Sequence, residues 1–410
     1  VSASPSVISD ASPAAIEHPL RNRIYRRWLG GSAISLLGDQ FYLVALPWLV
    51  LQHLGSAGAL GAVLMAGGVP RALLMLFGGA LADHISARRI MLMTAAARAV
   101  CVAVIGILAW RGALSAWTIY ALVIAFGVAD AFALPAQSAY VPSLLKREQL
   151  VAATSLAQIV AQLAAILAPL PAGLLIAGLG VAPALFVDAA SFLFVIAALL
   201  FLPDPPLTAR HASALKSIGM GIAYVMRDVP LRTLMLLATI LNFCIAGPMA
   251  VGVAYLAKTR LDSSSAYGVM VAALAAGGLI GALVASAWKI RRRGVLIVAG
   301  SALLGFCLMA IPWAGGVASV AGVLLLMGAT ASLVNVHIGA WMMQRIDVEV
   351  RGRVSSVLML ASFGTAPLSM AVAGFLIAWN ENLSFLLAGA AILLTAVVAL
   401  LKPSVRDIRE

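Results

Sequence analysis

Charge is what this sequence has least of. Of its 410 residues, 42 are charged at neutral pH, 27 basic and 15 acidic. That is 10% of the chain, where a water-soluble domain carries roughly 25%. So few groups cannot give a polar skin to a chain that is 63% hydrophobic, which excludes a large soluble enzyme. The deficit is also local. No Asp, Glu, Lys or Arg lies between Glu148 and Asp188, Arg293 and Arg345, Arg353 and Glu381, or Glu381 and Lys402, gaps of 39, 51, 27 and 20 residues. About 20 apolar residues in a helix cross a bilayer, so the first two gaps hold two spans each and the others one.

Cysteine is equally scarce. Cys101, Cys244 and Cys307 are far apart and inside apolar segments, so neither a disulfide framework nor a cysteine metal site is signalled. The sequence also has no Gly-x-x-x-x-Gly-Lys loop, no His-Glu-x-x-His, no Cys-x-x-Cys and no Gly-x-Ser-x-Gly. Nucleotide-driven pumping and the common hydrolytic chemistries thus have no signature here. No catalytic residue, metal site or cofactor is expected, and the energy for any work must come from an ion gradient or the substrate's own gradient.

What the chain does have is hydropathy with punctuation. Twelve apolar spans fall at roughly 28–52, 59–82, 89–109, 116–139, 151–177, 181–202, 232–256, 267–288, 295–313, 317–343, 354–379 and 383–401. The formal net charge of +12 is distributed by topology. With the N-terminal arm taken as cytoplasmic, 22 of the 27 basic residues fall on the cytoplasmic side and only Arg111, Lys258 and Arg260 on the other. This is the positive-inside bias of a multi-pass protein with both termini cytoplasmic, expected in a bacterial inner membrane. The basicity is therefore no nucleic-acid footprint, and the expected partners are the lipid bilayer, a small-molecule substrate and protons, with a monomeric chain.

The two halves echo each other. Gly79-Ala80-Leu81 recurs as Gly281-Ala282-Leu283, Gly127 as Gly328, and Ala168-Pro169-Leu170 as Ala366-Pro367-Leu368, at offsets of 202, 201 and 198. A six-plus-six duplication suits a transporter whose halves rock about a midplane site. The organisation expected is a disordered cytoplasmic tail at 1–20, a six-helix bundle at 21–202, a central cytoplasmic loop at 203–231, a second bundle at 232–402 and a short tail at 403–410. The fold class is an all-α polytopic membrane protein, twelve transmembrane helices in two pseudo-symmetric six-helix bundles.

Ionisable residues inside spans cost at least about 2.5–3.5 kcal/mol each on insertion scales, so they are the first functional candidates. Asp39 and Arg71 lie at similar distances from the first outer turn, which places them at one depth and predicts a pair. Arg98 and Asp130 repeat the pattern in the next hairpin. Each pair either locks two helices together or presents a titrating carboxylate whose charge its arginine controls. Burial favours the neutral acid and a neighbouring guanidinium the ionised one. The C-terminal half has no acid in a span; its polar groups are Asn242, Asn335 and His337. Gln158 and Gln162 share one helix face and serve either substrate contact or helix–helix bonding. Asp188 reads as a structural hydrogen-bonding residue.

Several motifs resemble one family. The run Gly79, Asp83, His84, Arg88 and Arg89 at the end of the second span is similar to the loop signature of the major facilitator superfamily, with His84 where that family has Arg. Gly38-Asp39-Gln40, Pro135-Ala136 with Pro142, the stretch Phe186 to Phe192, and Arg351-Gly352-Arg353 resemble its exporter and secretion-effector branch. Ala164, Ala168, Pro169, Ala172 and Gly173 resemble the fifth-helix signature of its proton antiporters, with Ala in place of most glycines. The resemblance implies a cavity surrounded by helices 1, 4, 7 and 10, a peripheral sixth helix, and a latch of the outward-facing state formed by Asp130 with Asp83 and Arg88. Its second loop copy carries Ala285 where the family has Asp, so only the first loop is expected to gate, in a pH-sensitive manner.

These readings converge on a proton-coupled drug or metabolite exporter working by alternating access. The alternatives are a lysophospholipid flippase of the same fold and a transport-inactive sensor or scaffold. A lateral opening between helices would favour the flippase, and the scaffold separates on whether Asp39, Arg71 and Asp130 face a common cavity or are buried in helix contacts. The charge count makes its own prediction. A topology reporter fused at residue 262 reads as external and one at residue 216 as cytoplasmic; the reverse pattern overturns the orientation.

Overall fold

The computed structural model describes residues 18–204, 214–288, 292–347 and 350–402, leaving aside the side chains of 76–84, 214–218 and some positions between 351 and 363. The expected tails at 1–20 and 403–410 fall almost wholly outside the described residues. Within them there is helix and no strand. The first half comprises α1 (Arg23–Leu54), α2 (Ala57–His84), α3 (Ala87–Trp110), α4 (Ala116–Leu144), α5 (Leu150–Leu167), α6 (Pro169–Leu179) and α7 (Val181–Leu200). After α8 (Ala214–Arg227) the second half comprises α9 (Val229–Gly247), α10 (Val253–Thr259), α11 (Ser264–Ala287), α12 (Arg293–Ala310), α13 (Val317–Arg345), α14 (Arg351–Trp379) and α15 (Leu383–Leu401).

Two spans are broken helices. Pro169 has no N–H to continue the helix, so α5 ends at Leu167 and α6 begins at Pro169. Together they form the fifth span, bent where the sequence places its proline. The seventh span is α9, a π turn at Pro248–Gly252 and α10. With these joined, eleven spans among the described residues are long and apolar enough to cross a bilayer, and α14, apolar over Gly364–Trp379, is the twelfth. The central loop differs from expectation. It contains a helix, α8, whose Val225 is buried while Ile222 and Met226 are exposed, and Asp228 caps the start of α9 through the amide of Leu231.

Helix ends follow local chemistry. Asn22 accepts from the amides of Ile24 and Tyr25, Ser86 from Arg89, and Ser115 from Thr118, each satisfying amides that a helix start leaves unpaired. Gly55 closes α1 at φ 64°, in the left-handed region that favours glycine. Trp110, Trp117, Trp313 and Trp379 sit beside the loops at the end opposite the termini and are highly exposed. Tryptophan collects at the bilayer–water boundary, so these rings mark one interface. The exposed Leu73, Val100, Phe194, Leu236, Phe306 and Leu394 are the lipid-facing surface such a chain needs.

Glycines decide which helices touch. A Cβ on Gly127 of α4 would overlap the carbonyl oxygen of Gly67 in α2, and one on Gly67 would crowd Val123. In the second half Gly277 and Gly281 of α11 pack against the backbone of α13, and Gly328 of α13 against that of α11. The Gly127–Gly328 echo is thus a repeated close crossing. α7 packs behind α1, at Gly31 and Gly38, and against α3, where Phe186 covers Gly106.

The halves meet at the end away from the termini. Gly58 and Gly61 of α2 lie against Gly374 of α14, Gly68 against Pro367, Gly173 of α6 against Ser264, and Gly268 of α11 against Pro169. Gln162 donates to the Ala275 carbonyl at 2.6 Å and Ser264 to the Gly173 carbonyl at 2.9 Å, both across the halves. At the terminal end, polar contacts tie elements of the same half together. Asn22 donates to Leu144 and Tyr140 to Pro203, while Arg345 pairs with Asp228.

A substitution pair tests the crossing. Gly127→Ala forces α2 and α4 apart and costs about 1–3 kcal/mol, the usual range for overpacking. Gly30→Ala, with open space around its Cβ position, is neutral or slightly stabilising by helix propensity. Thermal unfolding of the purified proteins reads the difference, and equal midpoints would refute the close contact.

Candidate functional site

Between the halves lies a cavity of about 770 Å³. Its wall is mostly apolar, with Leu43, Leu46, Leu64 and Phe126 from the first half and Met249, Val271 and Met370 from the second. One part of the wall is charged. Asp39, Arg71, Arg98 and Asp130 all line the same space, so the four ionisable candidates meet at one site.

Their pairing is not the one that depth suggests. Arg71 Nε lies 3.0 Å from Asp130 Oδ2, and Arg98 Nη1 lies 3.0 Å from Asp130 Oδ1. Asp39 Oδ1 stands 3.9 Å from the same Arg98 nitrogen. The expected Asp39–Arg71 pair is therefore corrected: Arg71 goes to Asp130. The reason lies in the packing. Arg71 follows Gly67 by one turn and Asp130 follows Gly127 by three residues, so the close crossing of α2 and α4 carries both side chains together. Depth was legible from the hairpin, but which way each helix faces was not. Arg98–Asp130 forms as expected. Phe192 of α7 stacks under the Arg98 guanidinium at 4.6 Å, a favourable cation–π arrangement.

Asp130 therefore bridges two cations from two helices. Its side chain is 14% exposed, as is that of Arg98, whereas Arg71 is 45% exposed and Asp39 33%. The Arg98–Asp130 contact is the sheltered part of the network, and Asp39 is the more accessible carboxylate, more loosely held.

Other candidates go elsewhere. Gln162 bonds the backbone of α11, serving helix–helix contact, and Gln158 is exposed. Asn242 donates to Ala238 within its own helix. His337 is buried with Nδ1 2.9 Å from the Leu333 carbonyl of its own helix, and Asn335 is exposed. None of the five lines the cavity. The tenth span was expected beside the cavity, but the lining of the second half comes from α9 with its π turn, α11 and α14. The close crossing at Gly277, Gly281 and Gly328 ties α13 to α11 instead.

In the loop signature, the side chains of Gly79, Asp83 and His84 lie outside the described residues. Arg88 donates to the carbonyls of Leu199 and Leu200 at 2.7 and 2.9 Å, satisfying the unpaired end of α7. Arg89 lies 3.5 Å from Asp204. In this conformation Arg88 caps α7 and Asp130 is held by Arg71 and Arg98; the expected latch belongs to the outward-facing state, and its Asp83 side chain lies outside the described residues. In the fifth span Ala164, Ala168, Pro169, Ala172 and Gly173 are all buried, and Pro169 and Gly173 form the contact with α11.

The sequence reading missed two features. Tyr42 and Phe126 stack at 4.5 Å on the cavity wall. Asp39, Tyr42, Leu43 and Leu46 follow the i, i+3, i+4, i+7 spacing of one helix face, so this stripe was there to be read. The second feature is Asp188, fully buried, whose carboxylate oxygens have no hydrogen-bond partner among the described residues. The expectation of a hydrogen-bonded structural carboxylate is corrected. Ser191 donates to the Asp188 main-chain carbonyl, so its hydroxyl is engaged with the backbone.

Comparisons with known proteins establish the family and the fold. A family model described as Major Facilitator Superfamily matches residues 28–368. The chain belongs to the major facilitator superfamily. It is 27% identical over 394 residues to the multidrug efflux pump Tap of Mycobacterium tuberculosis, covering 93% of each chain. Against Tap of Mycolicibacterium fortuitum it is 28% identical over 388 residues, covering 90% of this chain and 93% of that one. Among solved structures, the nucleoside transporter NupG superposes with a TM-score of 0.73 at 13% identity, covering 92% of this chain and 98% of that one. A bacterial homologue of the iron transporter ferroportin, in an inward-facing state, gives 0.71 at 17% identity with the same coverage. At these identities the structural matches establish the fold, and the chain is a multi-pass membrane transporter of this superfamily.

The network predicts unequal costs. Asp130→Asn leaves two arginines facing each other, and truncating one partner of a sheltered charge pair costs about 2–5 kcal/mol. Arg71 is half-exposed, so the lower end applies. Asp39→Asn, at the edge of the network, costs less than about 1 kcal/mol. Unfolding midpoints in detergent measure both, and a larger loss for Asp39→Asn would contradict the bridging role of Asp130.

Proposed function

We propose that this protein is a proton-coupled exporter of amphipathic small molecules in a bacterial inner membrane, with both termini in the cytoplasm. The class fits a drug, a macrolide-like compound or a secreted metabolite such as a siderophore. The observation that carries the reading is the shared cavity. An apolar chamber with Asp39 and Asp130 on one wall suits a molecule with a large apolar body and a cationic or hydrogen-bonding end. It also favours a transporter over a scaffold, because all four ionisable groups open onto the cavity even where they pair between helices. The multidrug efflux pumps among the relatives support the direction of transport.

The conformation fits the first half of an export cycle. The halves are closed on each other at the end ringed by tryptophan, so the cavity communicates with the terminal, cytoplasmic side. A substrate entering from there meets Asp39 first, the accessible carboxylate. A cationic group on Asp39 competes with Arg98, and Arg98 then rests wholly on Asp130. Rocking about the midplane separates Gly61 from Gly374 and Gly173 from Ser264, opening the outer side. A proton taken up by Asp39 from outside releases the substrate and resets the site.

Asp39→Asn removes the exchangeable proton while keeping side-chain size. Purified Asp39→Asn protein in liposomes inserts and folds but does not export against a gradient, and its residual transport is indifferent to an imposed pH difference. Wild-type rates with unchanged pH dependence would remove Asp39 from the coupling step.

A further inference from the structure

Behind the cavity wall is a second polar site that the export reading leaves unused. Asp188 of α7 is fully buried. Neither of its carboxylate oxygens has a hydrogen-bond partner among the described residues, and Tyr42 Oη and Arg98 Nε are likewise buried and unpartnered. These groups face one another across three helices. Asp188 Oδ1 lies 2.9 Å from where a Cβ on Gly38 would stand, directly behind Asp39. Arg98 reaches over Phe192, one turn along α7 from Asp188.

An ionised carboxylate cannot stay buried without a partner, because losing its hydration costs several kcal/mol and nothing offsets it. A neutral carboxylic acid can. An arginine is available within the same nest, yet in this conformation its Nη1 is committed to Asp130. We infer that Asp188 is a second protonation site, holding a proton in the cytoplasm-open state and competing with Asp130 for Arg98 when that proton leaves. The groups that face it are Asp39 and Tyr42 on α1 and Arg98 on α3, with Asp130 on α4 behind Arg98 and Ser191 on its own helix.

The step balances simply. The Asp188 O–H bond breaks, the proton passes to the Asp39 carboxylate or to water in the cavity, and the new carboxylate attracts Arg98 through its free Nε–H. Asp130 then keeps only Arg71, the half-exposed partner. Proton loss behind α1 is thereby converted into a change of charge pairing between α3, α4 and α2. Gly38 is required because any side chain there would displace Ser191 and Asp188.

The inference deepens the proton-coupled reading and rests on it, so its test begins without transport. Infrared difference spectra of purified wild-type protein in liposomes show a protonated-carboxyl C=O band near neutral pH. The band disappears in Asp188→Asn and remains in Asp39→Asn. Loss of the band in Asp39→Asn alone, or no band in wild type, overturns the assignment whatever the transport result. Asn mimics the neutral acid, so Asp188→Asn is expected to fold. Should it not, Asp188→Glu serves, with the band moved in frequency; an unmoved band overturns the assignment. In the same liposomes, Asp188→Asn loses about tenfold or more of gradient-driven substrate accumulation, the scale of a typical coupling free energy. It retains downhill substrate exchange. Gradient-driven accumulation at the wild-type level in Asp188→Asn would show that Asp188 takes no part in coupling. A wild type indifferent to the pH gradient, with the band still assigned to Asp188, would instead remove the exporter's proton coupling and leave the protonation site.

Discussion

Two charges can sit in a bilayer only if something brings them together and keeps them there, and here a backbone contact does it. Gly67 and Gly127 let α2 and α4 touch without side chains between them. One turn further in, Arg71 and Asp130 meet at 3.0 Å. Arg98 completes the bridge from α3. Any side chain at either glycine would separate the helices, parting Arg71 from Asp130 and leaving Asp130 to Arg98 alone. The polar wall of the cavity thus depends on the absence of two side chains.

The same logic of close approach sets the conformation. Small residues at Gly58, Gly61, Gly374, Gly173 and Gly268 seal the halves at the tryptophan-ringed end, and the broken fifth span lets Gly173 and Pro169 lie flat against α11. These are backbone contacts with few hydrogen bonds, closed by packing and able to reopen without leaving many polar groups stranded. The charge network sits just inside this seal, on the first-half wall.

Much of the fold could be read before any coordinates. The charge-free gaps locate the spans, the proline at 169 locates a bend, and the Gly127–Gly328 echo marks a repeated crossing. The shared depth of Asp39 and Arg71 was also legible, since depth follows from distance to a turn. The pairing was not, because depth is shared by every helix at a level while azimuth is set by tertiary packing, and α2 prefers α4 to α1. The π turn at Pro248–Gly252 and the helix within the central loop were missed for a similar reason: hydropathy reports how apolar a segment is, not how it winds. Asn242, Asn335 and His337 drew attention as polar residues in apolar helices, yet Asn242 and His337 bond the backbone of their own helix. Polarity inside a span identifies candidates; only packing separates a site from a satisfied side chain.

The central claim is that substrate and proton exclude each other at the carboxylates of one wall. Linkage makes this reciprocal: if protons weaken substrate binding, substrate must expel protons. The most direct measurement is therefore proton release on substrate binding by purified protein in weakly buffered detergent solution, with no membrane gradient present. A transported compound should release protons from the wild-type protein in proportion to occupancy, and fewer from Asp39→Asn. Saturable binding with no proton release across the neutral range would contradict the account.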